Sequence, residues 1–275
     1  MRDLRDRNAL LTGAGGGLGT YIAEELALAG ANLALSDLPG GDTPALAQRL
    51  AASCGGRAAV VPADLGDPTQ LEGLIDRAEA AIGPLDVLVN NAGIEITSTY
   101  TGFTREEFER VTAINLIAPM ELTRRVLPGM LARGRGHMVF MSSISGKLGF
   151  PYCEPYAATK AGLIALCQSL RLEYADRPVS FSVICPGFVS EAGIGARALG
   201  DQKLPMMLAP VRPDRVARAL VNAIGRDQTE VLVTGAPTRP VLAIGALFPK
   251  LTERLLKSTG VARLSQGIAQ RRNRA

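Results

Sequence analysis

Residues 8–37, NALLTGAGGGLGTYIAEELALAGANLALSD, place a glycine cluster and an amphipathic segment between two short apolar runs. The pattern predicts a strand over residues 8–12, a helix over 18–29 and a second strand over 32–37. Glycines in the strand-to-helix turn allow a tight bend and a close approach of the backbone to a pyrophosphate, whose charge the helix N-terminus favours. The stretch is therefore typical of the first βαβ unit of a dinucleotide-binding sheet.

The remainder of the chain repeats this alternation of short apolar strands and longer helices. Strands buried on both faces have this composition, because helices cover both sides of a parallel sheet. We expect an α/β fold with one doubly wound, parallel, seven-stranded Rossmann-type sheet, helices on both faces and no separate substrate domain. Further strands are predicted at 58–63, 85–90, 137–141, 179–185 and 230–234, and further helices at 48–52 with Thr43 as the entry cap, 68–82 with Asp67 as the cap, 104–133, 155–174 and 213–224.

The composition of the chain narrows the functional classes. The 275 residues are 47% hydrophobic and 20% charged, as in ordinary globular proteins, and a net charge of +4 is too small to indicate nucleic-acid binding. Four cysteines without a CxxC pair and a single histidine argue against a metal site or a disulfide framework, and free thiols fit a cytoplasmic location. No apolar run reaches the ~18 residues of a membrane span, and we expect no secretory leader.

Tyr156 and Lys160 lie four residues apart in a predicted helix, so their side chains share one face. A phenol normally titrates near ~10, which is too high for efficient proton transfer at neutral pH. A lysine ammonium and a positively charged nicotinamide nearby would favour the phenolate and lower that pKa. We therefore take Tyr156 as a candidate acid/base, with Lys160 as the cation beside it.

Three motifs follow one another in order along the predicted elements. Residues 12–19 form TGxxxGxG, residues 90–93 read NNAG, and residues 143–160 contain Ser-x12-Tyr-x3-Lys. Over about residues 7–235 the chain resembles the short-chain dehydrogenase/reductase family. The resemblance implies NAD(P)-dependent hydride transfer between an alcohol and a ketone. It implies as catalytic residues Asn115, Ser143, Tyr156 and Lys160.

In the family the catalytic serine holds the substrate oxygen beside the tyrosine. Ser142 competes for this role, but the thirteen-residue separation from Tyr156 favours Ser143. The resemblance implies that Asn115 locally interrupts the long helix at residues 104–133, so that water held by its backbone links Lys160 to solvent as a proton relay.

The cofactor contacts that the resemblance implies lie after the first six strands. They are Gly13, Gly17, Leu18, Gly19, Asp37, Asp64, Leu65, Asn91, Ala92, Gly93, Tyr156, Lys160, Pro186, Gly187 and Val189. Asp37 ends the second strand, where an acid bonds the adenosine ribose hydroxyls and repels a 2′-phosphate. Family members that prefer NADP usually carry a basic residue at positions equivalent to 14–16 or 38, and this chain has none there. We expect NAD as the cofactor.

One segment departs from the family pattern. The family commonly reads PGxVxT after the sixth strand, and its threonine bonds the nicotinamide carboxamide, whereas residues 186–191 read PGFVSE. Glu191 takes the position of the threonine, and Ser190 is an alternative if the loop is shifted. How the carboxamide is held stays open.

We assign residues 1–235 to the Rossmann-type domain and residues 190–210 within it to a substrate lid. The lid contains glycines and the apolar residues Leu204, Met206, Met207 and Leu208, which either contact a lipophilic ligand or only pack the lid on the body. Candidates for substrate contact beside the cleft are Glu95, Tyr152, Cys153 and Glu154.

Residues 236–275 form a basic amphipathic extension. Residues 235–275 carry eight Arg or Lys against one acid, together with many apolar side chains. This extension is expected to pack on a second subunit of a homo-oligomer, a dimer or a tetramer. Peripheral contact with an anionic membrane surface is the alternative.

The sequence supports four candidate functions to different degrees. We favour an oxidoreductase that uses NAD and acts on a lipophilic secondary alcohol or ketone. A 3-oxoacyl-carrier-protein reductase would use NADPH, which Asp37 opposes. A dinucleotide-sensing protein without chemistry is opposed by the presence of all four catalytic residues, and a nucleic-acid module by a basic tail without interleaved aromatics.

Overall fold

The computed structural model describes residues 3–192, 209–235, 238–258 and 260–272. Its sheet has seven parallel strands in the order β3-β2-β1-β4-β5-β6-β7, which confirms the predicted Rossmann-type α/β fold. The strand order reverses between β1 and β4, so a cleft opens there at the carboxyl ends of the strands. The strands are β1 Asn8–Thr12, β2 Asn32–Ser36, β3 Ala58–Val60, β4 Val87–Asn90, β5 Gly136–Met141, β6 Val179–Pro186 and β7 Glu230–Val233.

Helices cover both faces of the sheet. They are α1 Gly17–Leu28, α2 Thr43–Cys54, α3 Pro68–Glu72, α4 Leu74–Ile82, α5 Arg105–Thr112, α6 Ala118–Ala132, α7 Glu154–Glu173, α8 Pro213–Arg226, α9 Arg239–Leu247, α10 Pro249–Ser258 and α11 Val261–Arg272. Leu11 of β1 packs in the core formed with α1, α2 and α8, while its neighbour Leu10 packs in the opposite core with α4, α6 and α7. Successive side chains of a strand point to opposite faces, so a strand covered on both sides must be apolar throughout.

The predicted helix over residues 104–133 is not continuous, and it is interrupted at Asn115, as the resemblance implies. α5 is followed by a single π-helical turn, Ala113–Ile117, before α6 begins. Pro119 lies in the first turn of α6, where its missing amide costs little, and Pro128 lies inside that helix. The predicted helix over 68–82 is also two helices, which meet at Gly73.

Several predicted ends are wrong by a few residues. The Asp67 side chain accepts a hydrogen bond from the Thr69 amide, as expected of an N-cap, but the N-cap of α2 is Asp42 and not Thr43. The third strand ends at Val60 instead of residue 63, although the amides of Val61 and Ala63 still donate hydrogen bonds to the carbonyl oxygens of Leu35 and Asp37. Residues 193–208 of the predicted lid, with its four named apolar residues, lie outside the described part of the chain.

The extension after β7 folds into the three helices α9, α10 and α11. Ala269 of α11 is fully buried, whereas Ile244, Leu247 and Phe248, in and next to α9, are exposed. Part of the extension therefore lies on the body of its own chain. None of the helices in the described ranges has the length and apolar character that a membrane span requires.

Candidate active site

The glycine-rich turn and the NNAG segment form one hydrogen-bonded unit across β1 and β4. The Thr12 Oγ1 accepts hydrogen bonds from the backbone amides of Asn91 and Ala92, both at 3.1 Å. In return the Asn91 Nδ2 donates to the carbonyl oxygens of Thr12 at 3.0 Å and Gly13 at 3.1 Å. These bonds fix the turn against the adjacent strand end and hold its backbone at the edge of the cleft.

The backbone packs so closely around this turn that three of its positions have no room for a side chain. Gly13 has φ +66°, and a Cβ placed on it would lie 2.8 Å from the Cα of Ala92. A Cβ on Gly19 would overlap the carbonyl oxygen of Gly13, and a Cβ on Gly17 would overlap the carbonyl oxygen of Ala192. The turn can keep its shape only with glycine at all three positions.

Asp37 lies at the carboxyl end of β2 with its carboxylate fixed by two backbone amides. Its Oδ2 accepts from Gly15 N at 2.7 Å and its Oδ1 from Leu38 N at 2.8 Å. The carboxylate is thus oriented at one end of the cleft, next to the turn.

A cleft of about 520 Å³ runs along the carboxyl ends of the strands. All fifteen cofactor-contact residues predicted from the sequence line it, from Gly13 at the turn to Val189 after β6. Such a volume suits a small-molecule or cofactor site. The glycines that leave backbone room, and an acid where a ribose would lie, fit an adenine dinucleotide.

Away from the glycine turn, the same cleft is lined by Ser143, Tyr156 and Lys160. Ser143 follows β5, and the other two lie one helical turn apart near the start of α7. The competing Ser142 donates its hydroxyl hydrogen to the Lys160 carbonyl at 2.7 Å, so it ties α7 to the sheet. Ser143 is therefore the serine available to a ligand.

Lys160 is buried beside the tyrosine. Its Nζ donates to the Met141 carbonyl at 2.8 Å and lies 5.5 Å from the centre of the Tyr156 ring. A Cβ on Gly93 would lie 3.2 Å from this nitrogen, so the last residue of NNAG must stay small for the lysine to fit.

Asn115 is fully buried and does not line the cleft. Its Oδ1 accepts from the Ile94 amide at 2.8 Å, and its Nδ2 donates to the Ile94 carbonyl at 2.9 Å. The residue sits in the π-helical turn, where the regular α-helical ladder is broken. Asn115 thus fastens the segment after NNAG to the helix that faces Lys160.

Comparison with known proteins agrees with this geometry. The family model for short chain dehydrogenases matches residues 7–200. The chain belongs to that family, and it is an oxidoreductase. Its sequence is 38% identical to the ketoacyl reductase HetN of Nostoc sp., with 99% of this chain and 96% of the relative covered.

Solved structures also resemble this dehydrogenase. The 3-oxoacyl (acyl-carrier-protein) reductase of Agrobacterium tumefaciens C58, solved with NADP bound, matches with a TM-score of 0.77 and 33% identity over 86% of this chain and 95% of that one. A short chain dehydrogenase/reductase from Burkholderia phymatum in complex with NAD matches with a TM-score of 0.79, over 91% and 96% of the two chains. At 23% identity, the second likeness concerns the fold alone.

The electrostatics of the dehydrogenase site differ from the sequence-based expectation. Burial, and next the nearby Glu95 carboxyl, raise the pKa of Tyr156, while a hydrogen bond between the Ser143 and Tyr156 side chains lowers it in part. Burial lowers the pKa of Lys160 to about 8, against the opposing effect of Glu95. Removal from water disfavours both the phenolate of Tyr156 and the ammonium of Lys160. The protein alone therefore does not produce the expected lowering of the phenol pKa.

Residues 186–191, which depart from the PGxVxT pattern, lie only partly in the wall of the cleft. Pro186, Gly187 and Val189 line the cleft, but Ser190 and Glu191 do not. The Ser190 hydroxyl donates to the Val211 carbonyl at 3.4 Å, and Glu191 has a left-handed φ of 61°.

Of the four residues expected to contact substrate, Glu95 and Cys153 line the cleft. Tyr152 and Glu154 do not, and the Tyr152 amide donates to the Glu154 carboxylate at 2.9 Å. Burial raises the pKa of the Cys153 thiol, which keeps it protonated and unreactive. Among the described residues, no group of three or more His, Cys, Asp or Glu could hold a metal ion.

Sequence reasoning missed several residues of the cleft wall. Leu38, Arg110, Ile114, Phe150, Phe188, Ala192, Ser265 and Ile268 also line it. Ser265 and Ile268 belong to α11, and with the buried Ala269 they share one face of that helix at spacings of three and four residues. This spacing was visible in the sequence, but it indicates an inward face without saying which surface the helix covers.

Proposed function

We propose that this dehydrogenase transfers a hydride between NAD(H) and a secondary alcohol or ketone, with Tyr156 as the acid/base. The observation that supports this most is the grouping of Ser143, Tyr156 and Lys160 in one cleft with the glycine turn and Asp37. A cofactor seated along the turn would bring its reactive end to these three residues.

When bound, the nicotinamide supplies or accepts the hydride. Burial keeps the Tyr156 phenol protonated, which suits it to donate the proton at Oη to a carbonyl oxygen of the substrate. Ser143 binds the same oxygen and orients it. Lys160 is the cation that stabilises the resulting phenolate, and Asn115 keeps the wall behind it in place through Ile94.

The preference for NAD rests on Asp37. Two amides hold its carboxylate at the end of β2, so it cannot turn away from a ribose bound there without losing both hydrogen bonds. A 2′-phosphate would face this charge, and Leu38 offers no compensating cation. The 3-oxoacyl (acyl-carrier-protein) reductase with NADP bound shows that other family members use that cofactor, and the ratio of kcat/KM values for the two cofactors tests the preference of this chain.

The substrate is expected to be mainly lipophilic. Ile94, Phe150, Phe188 and Ile268 contribute apolar wall to the cleft that holds Tyr156. Burying an alkyl chain there is favourable by roughly 0.8 kcal/mol per methylene group.

Reduction of a 3-oxoacyl thioester with NADPH is the second candidate. It is favoured by the similarity to a ketoacyl reductase and a 3-oxoacyl (acyl-carrier-protein) reductase. Acetoacetyl-CoA, assayed with NADPH and with NADH, separates it from the first candidate.

The experiment that tests the proposed function is a panel of secondary alcohols and ketones followed by the absorbance of NADH and NADPH. We expect turnover with NAD(H) on medium-chain compounds and a clear excess of kcat/KM over NADP(H). Faster turnover of acetoacetyl-CoA with NADPH would overturn the first candidate in favour of the second.

We also propose a cytoplasmic homo-oligomer. The exposed apolar side chains Ile244, Leu247 and Phe248 support packing of α9 against a second subunit, since a cluster of exposed apolar side chains is unusual on the surface of a monomer. Size-exclusion chromatography with light scattering tests the assembly, and liposome sedimentation tests the membrane alternative.

A further inference from the structure

Glu95 places a carboxyl group in the wall of the catalytic part of the cleft. It follows Gly93 by two residues and lies close enough to Tyr156, Lys160 and Cys153 to influence the titration of each. Burial raises the pKa of Glu95 and the Lys160 charge lowers it, but no hydrogen bond from the described residues to this carboxyl is present. The Glu95 side chain is half-buried in the cleft wall, and none of the described residues donates a hydrogen bond to its carboxyl, so this group can bind a polar ligand in the cleft.

Without ligand, water in the open cleft can hydrate the Glu95 carboxyl. A substrate that fills the cleft displaces this water, and the carboxyl then loses hydrogen bonds that none of the described residues replaces. A wholly apolar substrate must overcome that cost, whereas a substrate with a suitably placed polar group replaces the lost hydrogen bond. The geometry therefore selects for a polar group near the reacting carbon.

We propose that Glu95 is a specificity-determining residue that binds a second hydroxyl group of the substrate, beside the carbinol carbon that reacts at Tyr156. This inference rests on the proposed function and adds a substrate class to it, namely diols and hydroxyketones with an apolar remainder. A hydroxyl pairs with either form of the carboxyl, since it donates to a carboxylate and accepts from a carboxylic acid. An ammonium would meet the Lys160 charge in the same part of the cleft.

The experiment compares matched substrates with NAD⁺: 1,2-octanediol against 2-octanol, and 1,3-octanediol against 3-octanol. The wild-type enzyme should favour at least one diol over its parent alcohol by about tenfold or more in kcat/KM. The reason is that the parent alcohol offers no hydroxyl to form a hydrogen bond with the Glu95 carboxyl. In Glu95→Leu this preference should be lost or reversed. Glu95→Gln, which can still donate and accept, should retain most of it.

Glu173→Gln is the matched control, because Glu173 is an exposed carboxylate at the far end of α7 and its loss should leave the diol preference unchanged. Replacing the half-buried Glu95 by leucine breaks no hydrogen bond to the described residues, so it should not lower the thermal unfolding temperature, and a folding defect is recognised separately. Equal kcat/KM for diols and parent alcohols in the wild-type enzyme would overturn the inference.

Binding measurements separate this inference from the proposed function. The diols and parent alcohols are titrated calorimetrically into each variant in the presence of NADH. If no alcohol is oxidised, the proposed function fails. The role of Glu95 still stands when the wild type binds a diol more tightly than its parent and Glu95→Leu does not, and it falls when the two bind alike.

Discussion

Replacing Gly19 by alanine tests whether close backbone packing in the turn creates the cofactor site. The new Cβ would overlap the Gly13 carbonyl oxygen and lie 2.9 Å from the Gly13 carbonyl carbon. Both contacts are backbone, so no side chain can rotate away, and the turn or the start of α1 must move. Overpacking of this kind costs about 1–3 kcal/mol of folding free energy.

Gly16→Ala is the matched control in the same turn. Its Cβ would have the Gly13 carbonyl oxygen as its nearest neighbour at 3.6 Å, an ordinary contact, and Gly16 has a φ of −79° that alanine adopts freely. As an N-cap change without a lost side-chain bond, it should cost less than about 1 kcal/mol.

The assay is a fluorescence titration of NADH, run beside urea unfolding of both variants. We expect the Kd of Gly19→Ala to rise at least about tenfold, equivalent to about 1.4 kcal/mol, because the displaced amides no longer face the pyrophosphate. Gly16→Ala should stay close to the wild type. Equal NADH affinity in the two variants would refute the packing argument.

Three further predictions concern the cofactor, stability and the extension. Asp37→Ala combined with Leu38→Arg should shift preference from NAD(H) to NADP(H), measured as the ratio of kcat/KM values, and an unchanged ratio would count against Asp37 as its origin. Burial lowers the pKa of His137 to about 3, so only the unfolded state binds a proton at this residue as the pH falls below about 6.5. The free energy of unfolding should therefore drop by about 1.4 kcal/mol per pH unit below that value. His137→Gln should flatten this slope in urea unfolding measured between pH 7 and 5. The chain has no tryptophan, so Ile268→Trp and Gln266→Trp each introduce a single fluorescent reporter. The tryptophan at 268, in the cleft wall, should fluoresce like a residue shielded from water and should raise the KM for long 2-alkanones. The tryptophan at the exposed position 266 should do neither.

Local patterns were sufficient for the sheet and for most of the cleft. Residues 8–37 predicted β1, the glycine turn, α1 and β2 because the backbone demands of that turn are met by its own sequence. The spacing of Ser143, Tyr156 and Lys160 likewise placed three side chains in one cleft, since each follows or lies in an element whose direction the fold determines.

Features set by contacts between distant segments could not be predicted. The resemblance implied an interruption at Asn115, but its π-helical form accompanies hydrogen bonds to Ile94, twenty-one residues earlier in the chain, which no local pattern shows. The raised pKa of Tyr156 comes from burial that no local pattern reports. The extension was expected on a partner subunit or a membrane, and its last helix lines the cleft of its own chain through Ile268.

Tyr156→Phe, with turnover and NADH binding measured on the same preparation, tests the central claim most directly. The substitution removes only the phenol oxygen of a buried ring, so the fold and the glycine turn should stay intact. We predict that turnover of the best alcohol in the panel falls by about 10²–10⁴-fold while the Kd for NADH stays near the wild-type value. A kcat comparable with that of the wild type would contradict Tyr156 as the acid/base.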